Sequence, residues 1–149
     1  MDIVTLSDLS LEDLLPHRGN MMLVEKVLEV DNDHALTVSR VKKYWPMADD
    51  NGVHPLILIE LAAQTAGVCN GWERIQTKGL DSEKMGWLVG IKKTEILVDH
   101  LPNFHLPFGS EIITRAENSY VFENLREVSC ESRIDNKIIC KSILQLFQA

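Results

Sequence analysis

The stretch His54-Pro-Leu-Ile-Leu-Ile-Glu-Leu-Ala-Ala-Gln-Thr-Ala-Gly67 decides the fold, because as a helix it would be apolar nearly all round. A helix of this kind is buried in the middle of a protein. A carboxylate in such a helix is costly unless it is paired, hydrogen-bonded or protonated. We therefore predict a long central helix from about Pro55 to about Gln76, with Glu60 as the candidate functional group.

The helical face of Glu60 carries further information. Gln64 lies four residues on and shares that face. Gly67 and Gly71 continue the stripe without side chains, so another backbone or a ligand can come close. Glu60 either serves a binding or catalytic site or hydrogen-bonds loop amides and locks the core. We expect burial to raise the pKa of Glu60 and a Glu60→Gln variant to be at least as stable as the parent.

The chain has 149 residues, which predicts a single domain over 1–149. Its hydrophobic fraction of 45% and charged fraction of 25% are those of a soluble globular protein. The sequence has no apolar run that could span a bilayer and no secretory signal at its start, so we expect a cytoplasmic protein. Cys69, Cys130 and Cys140 form no Cys-x-x-Cys pair, and neither a metal site nor a disulfide framework is expected.

The net charge of −7 argues against nucleic-acid binding, which needs a basic face. An acidic partner could still dock on a local basic patch. Lys92-Lys93 and Arg74 with Lys78 are candidates for such a patch, and solvated surface side chains are the alternative.

The rest of the chain predicts mostly β structure. A short helix should begin after the N-cap Ser10 and stop at Pro16. Loops are expected at 44–53 and 100–109, and Asp135-Asn136 should form a hairpin turn. The predicted strands are 22–30, 34–41, 86–91, 94–99, 111–121, 123–134 and 137–147. This order predicts an α+β fold with an antiparallel sheet wrapped around one long central helix.

Two motifs resemble those of 3-hydroxyacyl-acyl-carrier-protein dehydratases. Leu15-Pro-His-Arg-Gly-Asn-Met-Met-Leu-Val-Glu-Lys-Val27 resembles their Leu-Pro-His-Arg-x-Pro-x-Leu-Leu-Val-Asp signature. Leu58-Ile-Glu-Leu-Ala-Ala-Gln64 resembles their central-helix segment, whose Glu is catalytic. Trp87-Leu-Val-Gly-Ile-Lys92 and Pro107-Phe-Gly109 resemble their Gly-Ile strand and Pro-Gly turn. The resemblance implies one hot-dog domain.

The sequence departs from this family at one important place. The second catalytic residue of the family is a His in a Gly-His-Phe-Pro motif, and the corresponding position here falls on Pro46. The loop 44–54 contains no such motif. The chain is identified as a member of a divergent subgroup of dehydratase-like hot-dog proteins, including those of aryl-polyene-type clusters, that lacks the catalytic His. The usual His–Glu mechanism is then not expected in a homodimer, and we predict slow dehydration or none.

Three functions stay open at this point. In the first, His54 replaces the missing His as catalytic partner of Glu60. Because the two do not share a helical face, a second chain would have to bring them together, and His54 could instead cap the helix. In the second, Glu60 or Asp50 activates water and the protein is an acyl-thioester hydrolase. In the third, the protein is a non-catalytic thioester-binding partner of an active dehydratase.

The resemblance implies an acyl thioester as ligand, carried by acyl-carrier protein or coenzyme A in fatty-acid or polyene-type biosynthesis, and no cofactor or metal. Gln64, Pro55 and Trp45 are the candidate substrate-binding residues, although Trp45 could equally be a core residue. The amides at the start of the helix are expected to bind the thioester oxygen.

The assembly is expected to be a homodimer, or a heterodimer with a related dehydratase. His17, in the first motif, is expected to have a structural role and to tie the N-terminal segment to the sheet. His100 and His105 show no recognised ligand spacing and are expected to be exposed loop residues.

Overall fold

The computed structural model describes residues 4–82 and 86–148. Over these ranges the chain forms two α-helices and eight β-strands. The helices are α1 (Leu11–Leu14) and α2 (Ile57–Lys78). The strands are β1 (Lys26–Val30), β2 (His34–Arg40), β3 (Ala48–Asp49), β4 (Gly52–Val53), β5 (Gly86–Ile96), β6 (Glu111–Phe122), β7 (Leu125–Ile134) and β8 (Lys137–Gln148).

Six strands form one antiparallel sheet in the order β1-β2-β6-β7-β8-β5. The short strands β3 and β4 pair separately, within the predicted loop before the helix. Helix α2 packs against one face of the large sheet, and most of its length is buried. The predicted antiparallel sheet around one long central helix is confirmed, and α2 agrees with the predicted helix within two residues at each end. No helix of the described residues is long and apolar enough to cross a membrane.

The segment before the sheet is fixed against α2. Ser10 caps α1 through reciprocal hydrogen bonds with Asp13, and α1 ends at Leu14, before Pro16. At Gly71 a Cβ atom would collide with the carbonyl group of Leu14. The predicted close approach at this glycine is confirmed, and the chain's own N-terminal segment makes it. The segment therefore crosses α2 and places the residues after Pro16 near the beginning of that helix.

Two strand predictions differ from the structure. The predicted strand 22–30 starts only at Lys26, because the amides of Leu23 and Val24 bond to a side chain of α2 and not to a neighbouring strand. The predicted strands 86–91 and 94–99 are one strand, β5, with two register irregularities, followed by a turn at 98–100. The turn Asp135-Asn136 is confirmed, and both residues have the positive φ of a type I′ hairpin.

Strand β5 lies at one edge of the sheet. Its first half exposes a row of large apolar side chains: Trp87, Leu88, Val89 and Ile91. A long edge strand with exposed apolar residues is a template for pairing with another chain.

Candidate functional site

Glu60 lies in the first turn of α2. The positive end of the helix dipole favours a negative charge at this place. The side chain is 34% exposed, so the carboxylate is neither sealed in the core nor free on the surface. One of its oxygens, Oε1, takes part in both of the polar contacts that the structure shows for this side chain.

The first contact comes from His17, in the segment that crosses α2. Its Nε2 lies 3.1 Å from Oε1 of Glu60. The other ring nitrogen, Nδ1, is buried and has no hydrogen-bond partner among the described residues. The expectation that His17 ties its segment to the sheet is wrong, because its polar contact is with the carboxylate on the helix.

The second contact comes from Gln64, which is completely buried. Its Nε2 donates to Oε1 of Glu60 at 3.1 Å and to the carbonyl of Met21 at 2.6 Å. Its Oε1 accepts from the amide of Leu23 at 2.9 Å and more weakly from that of Val24 at 3.4 Å. Gln64 therefore makes the hydrogen bonds to loop amides that the core-locking interpretation had assigned to Glu60. The polar atoms of the Gln64 side chain are occupied within the chain.

The pKa of Glu60 lies below its ordinary value of 4.5. Burial is the largest single influence and raises this pKa. The hydrogen bonds from His17 and Gln64, and the charge that His17 carries when protonated, together outweigh it. The expectation of a raised pKa is therefore wrong, because the sequence gives the burial of the carboxylate but not the donors that face it.

Glu60 and His17 line a cavity of about 160 Å³. Residues 14–17 form one wall, α2 from Glu60 to Arg74 forms the floor, and 86–88 of β5 with 146–148 of β8 form the other wall. Several of the floor residues are small, with Ala63, Gly67 and Gly71 among them. The cavity thus adjoins the free edge of the sheet.

The amides at the start of α2 are occupied. Those of Ile57, Leu58 and Ile59 donate to the carbonyls three residues earlier at 3.0–3.1 Å. The amide of Leu56 donates to Nδ1 of His54 at 3.1 Å. The expected role of these amides as free donors to a thioester oxygen is therefore not available in this conformation.

The other candidate residues lie outside the cavity lining. His54 is exposed, caps the helix through Leu56, and its ring lies 6.2 Å from that of His105. Trp45 is 4% exposed and belongs to a buried hydrophobic cluster. Pro55 is also buried, and its carbonyl accepts from Leu58. Of the five candidate residues, the structure brings Glu60 and Gln64 together and leaves the other three elsewhere.

Arg74 and Cys69 both lie inside the fold. Arg74 is 4% exposed and donates to Ser82 and to the carbonyl of Asp13, so it cannot form a surface docking patch. Burial raises the pKa of the Cys69 thiol to about 12, which fits an unreactive core residue. No group of three or more potential metal ligands occurs within residues 4–82 and 86–148.

Sequence reasoning missed His17 as a site residue. The sequence separates it from Glu60 by more than forty positions, and the two meet only because the N-terminal segment crosses α2. One signal could have indicated the pair. The Leu-Pro-His-Arg motif offers a histidine and the apolar helix offers a carboxylate, and the two groups are natural hydrogen-bond partners.

The sequence model of the ApeP-like family, described as ApeP dehydratase, matches residues 9–149. The chain belongs to the ApeP-like dehydratase family. The match leaves out only the first eight residues, so it covers both the N-terminal segment and the whole sheet.

Curated relatives of this family member are 3-hydroxyacyl-[acyl-carrier-protein] dehydratases named FabZ. The protein from Streptococcus uberis is 29% identical over 123 residues, which cover 79% of this chain and 84% of that protein. The protein from Streptococcus pyogenes serotype M5 is 30% identical over 119 residues, which cover 76% and 82%. A dehydratase-like function is therefore supported at the level of sequence.

Solved structures show the same hot-dog fold. The dehydratase heterocomplex ApeI:P from Xenorhabdus doucetiae matches with a TM-score of 0.83 at 23% identity, over 95% of this chain and 91% of that chain. A hypothetical thioesterase from Streptococcus pneumoniae, solved with coenzyme A, matches with a TM-score of 0.60 at 11% identity, over 82% and 83%. At these identities both matches describe the fold alone.

Proposed function

We propose that this protein is a dehydratase-type subunit that acts on 3-hydroxyacyl thioesters, with Glu60 as the reacting carboxylate. One observation carries the proposal: Oε1 of Glu60 is held by His17 and Gln64, whereas Oε2 has no partner among the described residues. A carboxylate that is fixed through one oxygen and lines a cavity with the other free is arranged to exchange a proton with a ligand. The family match and the FabZ relatives support the reaction class.

The cavity suits an extended ligand. Its floor runs along α2 from Glu60 to Arg74, which corresponds to a length of about 20 Å at 1.5 Å per residue. The walls carry leucines and the side chains of Trp87 and Phe147. An acyl chain or a pantetheine arm has this length and polarity, so acyl-carrier protein and coenzyme A are both candidate carriers in fatty-acid or polyene-type biosynthesis.

A second hot-dog chain is part of the proposal, either identical or a related dehydratase. The cavity adjoins β5, whose apolar edge is uncovered, so a chain that pairs there would also cover the ligand. Light scattering should therefore show a dimer, and Val89→Lys in β5 should weaken it. Detection of only a 16.9 kDa species at micromolar concentration would contradict this part.

The two-chain arrangement leaves a place for a histidine from the partner. His54 of an identical second chain, or a catalytic His of a related dehydratase, could then face Glu60. The substrate-binding roles of Pro55 and Trp45, which lie outside the cavity lining, would in the same way require contacts made in the dimer.

The test is a mass-spectrometric assay with 3-hydroxyacyl thioesters of several chain lengths, run beside a thioester-hydrolysis assay. We expect the pure protein to bind acyl-pantetheine and to dehydrate slowly or not at all, and we expect dehydration that Glu60→Gln abolishes once a partner chain supplies the missing histidine. Fast dehydration abolished by His54→Ala would identify His54 as the base. Fast hydrolysis abolished by Glu60→Gln, without dehydration, would make the protein a thioesterase. Absence of both turnover and binding would overturn the proposal.

A further inference from the structure

We infer that His17 is the positioning residue of this site: it holds Glu60 as an ionised carboxylate whose free Oε2 acts as a general base in the cavity. The chemical part of this inference rests on the proposed function, but the positioning part does not. His17 and Glu60 belong to one chain, so the arrangement needs no residue from a partner.

The geometry fixes one side of the carboxylate. Oε1 of Glu60 lies 3.1 Å from Nε2 of His17 and 3.1 Å from Nε2 of Gln64. The Gln64 amide is itself anchored to the main chain of Met21 and Leu23. Both donors therefore bind the charged form of Glu60 from fixed positions, and hydrogen bonds to a charged group are the strong ones.

The surroundings of His17 indicate how it acts. Its Nε2 faces a carboxylate oxygen, so this nitrogen carries the proton. Its Nδ1 is buried without an acceptor among the described residues. His17 therefore serves as a hydrogen-bond donor to Glu60 through Nε2.

Few other charges face the carboxylate. Arg18 turns to the carbonyls of Leu15 and His17. Arg74, at the far end of the cavity floor, is occupied by Ser82 and the Asp13 carbonyl. The stretches of β5 and β8 that form the opposite wall carry no titratable side chain among the described residues. The polar groups that act on Glu60 are therefore His17 and Gln64, which together lower its pKa against the opposing effect of burial.

An ionised Glu60 has a defined part in the elimination. Oε2 takes the proton from C2 of the thioester, and the electrons of that C–H bond form the double bond to C3. The C3–O bond breaks, and the departing hydroxide takes the proton back from Glu60 and leaves as water. The carboxylate is regenerated at the end of this step.

The test compares three histidine variants by carbon NMR titration of the Glu60 carboxyl group, which is measurable without turnover. His17→Gln keeps an amide donor, whereas His17→Leu removes it. The control is His34→Gln, because His34 also contacts carboxylates but is not among the residues that line the cavity. We expect the midpoint of Glu60 to move upward in His17→Leu, to move less in His17→Gln, and to stay unchanged in His34→Gln.

Activity provides the second readout. If the protein or its complex dehydrates 3-hydroxyacyl thioesters, His17→Leu should lower kcat on the order of ten- to hundredfold and shift the acid limb of its pH profile upward, with partial rescue in His17→Gln. An unchanged Glu60 midpoint in His17→Leu would overturn the positioning role. Shifted midpoints in a protein that neither binds nor turns over thioesters would support the positioning role and reject the proposed function, so the two failures are distinguishable.

Discussion

Two sites in this protein where a histidine contacts carboxylates differ in how many of their polar atoms have partners. At the turn between β1 and β2, His34 uses both ring nitrogens, with Asp31 at 2.8 Å and Glu29 at 3.3 Å. At the cavity, His17 uses one nitrogen, and Glu60 keeps one oxygen free. The turn completes its own hydrogen bonds, because Asp31 also accepts from the amides of Asp33 and His34. At the cavity, by contrast, Nδ1 of His17 and Oε2 of Glu60 have no partner among the described residues.

The largest expected difference concerns activity. Glu60→Gln keeps the shape of the side chain but removes the base, so dehydration should fall by about 10²–10⁴-fold. Asp31→Asn, the matched change at the turn, should leave the rate unchanged. Initial rates from the mass-spectrometric assay provide the comparison. Equal losses in both variants would mean that the cavity has no special role.

The next largest effect concerns Gln64, which anchors the cavity side. Gln64→Leu leaves the amide of Leu23 buried without its partner, and the free energy of unfolding should fall by about 1–3 kcal/mol. The control is Gln76→Leu on the same helix, because Gln76 makes one hydrogen bond, to the carbonyl of Val4, and is only partly buried. Urea denaturation should show the smaller loss for Gln76→Leu, and the reverse order would contradict the anchoring role.

The pH dependence of stability should distinguish Glu60 from its neutral replacement. Because the pKa of Glu60 is lowered in the folded protein, the ionised group stabilises the fold fully above its ordinary value of 4.5, and this contribution disappears as the pH falls through the lowered pKa. Glu60→Gln should thus be less stable than the parent at neutral pH, contrary to the expectation from sequence. The difference should shrink on acidification, and a difference that grows would contradict the lowered pKa.

The smallest effect is expected at the turn. His34→Gln loses contacts to carboxylates that are more than half exposed, and such surface pairs contribute at most about 1 kcal/mol. Thermal unfolding of both variants at neutral pH should show little change in Tm for His34→Gln and a larger decrease in Tm for His17→Leu. A larger loss in His34→Gln than in His17→Leu would mean that the turn and not the cavity carries the stabilising contact.

The sequence was sufficient for the fold and for one of the two residues that form the histidine–carboxylate pair of the site. The long apolar run around Glu60 identified α2, and the burial of a carboxylate in such a helix pointed to Glu60. Side-chain contacts between distant segments were not accessible in this way. The 22–25 segment has strand-like composition, yet Gln64 takes up its amides. Residue type does not distinguish His17 from His54 as a partner of Glu60. Within one chain His17 contacts Glu60 because the N-terminal segment crosses α2, and this crossing is not evident from the sequence.

Trp45 is a candidate site residue that the structure places in the core. A large aromatic residue near a helix start is compatible with a ligand tunnel or with a core, and composition does not decide between them. In the structure Trp45 packs with Val53, Leu58 and Leu106 in a buried cluster. The aromatic residues of the cavity, Trp87 and Phe147, instead come from the edge and the neighbouring strand of the sheet.

The central claim, that the free oxygen of Glu60 faces the ligand, is tested most directly by a crystal structure with a 3-hydroxyacyl-pantetheine analogue in which a thioether replaces the thioester. We predict that the analogue lies between α2 and β5, with its C2 and C3 next to Oε2 of Glu60. His17 and Gln64 should still contact Oε1. An analogue bound away from Glu60, or a carboxylate turned with Oε2 away from the analogue, would contradict it.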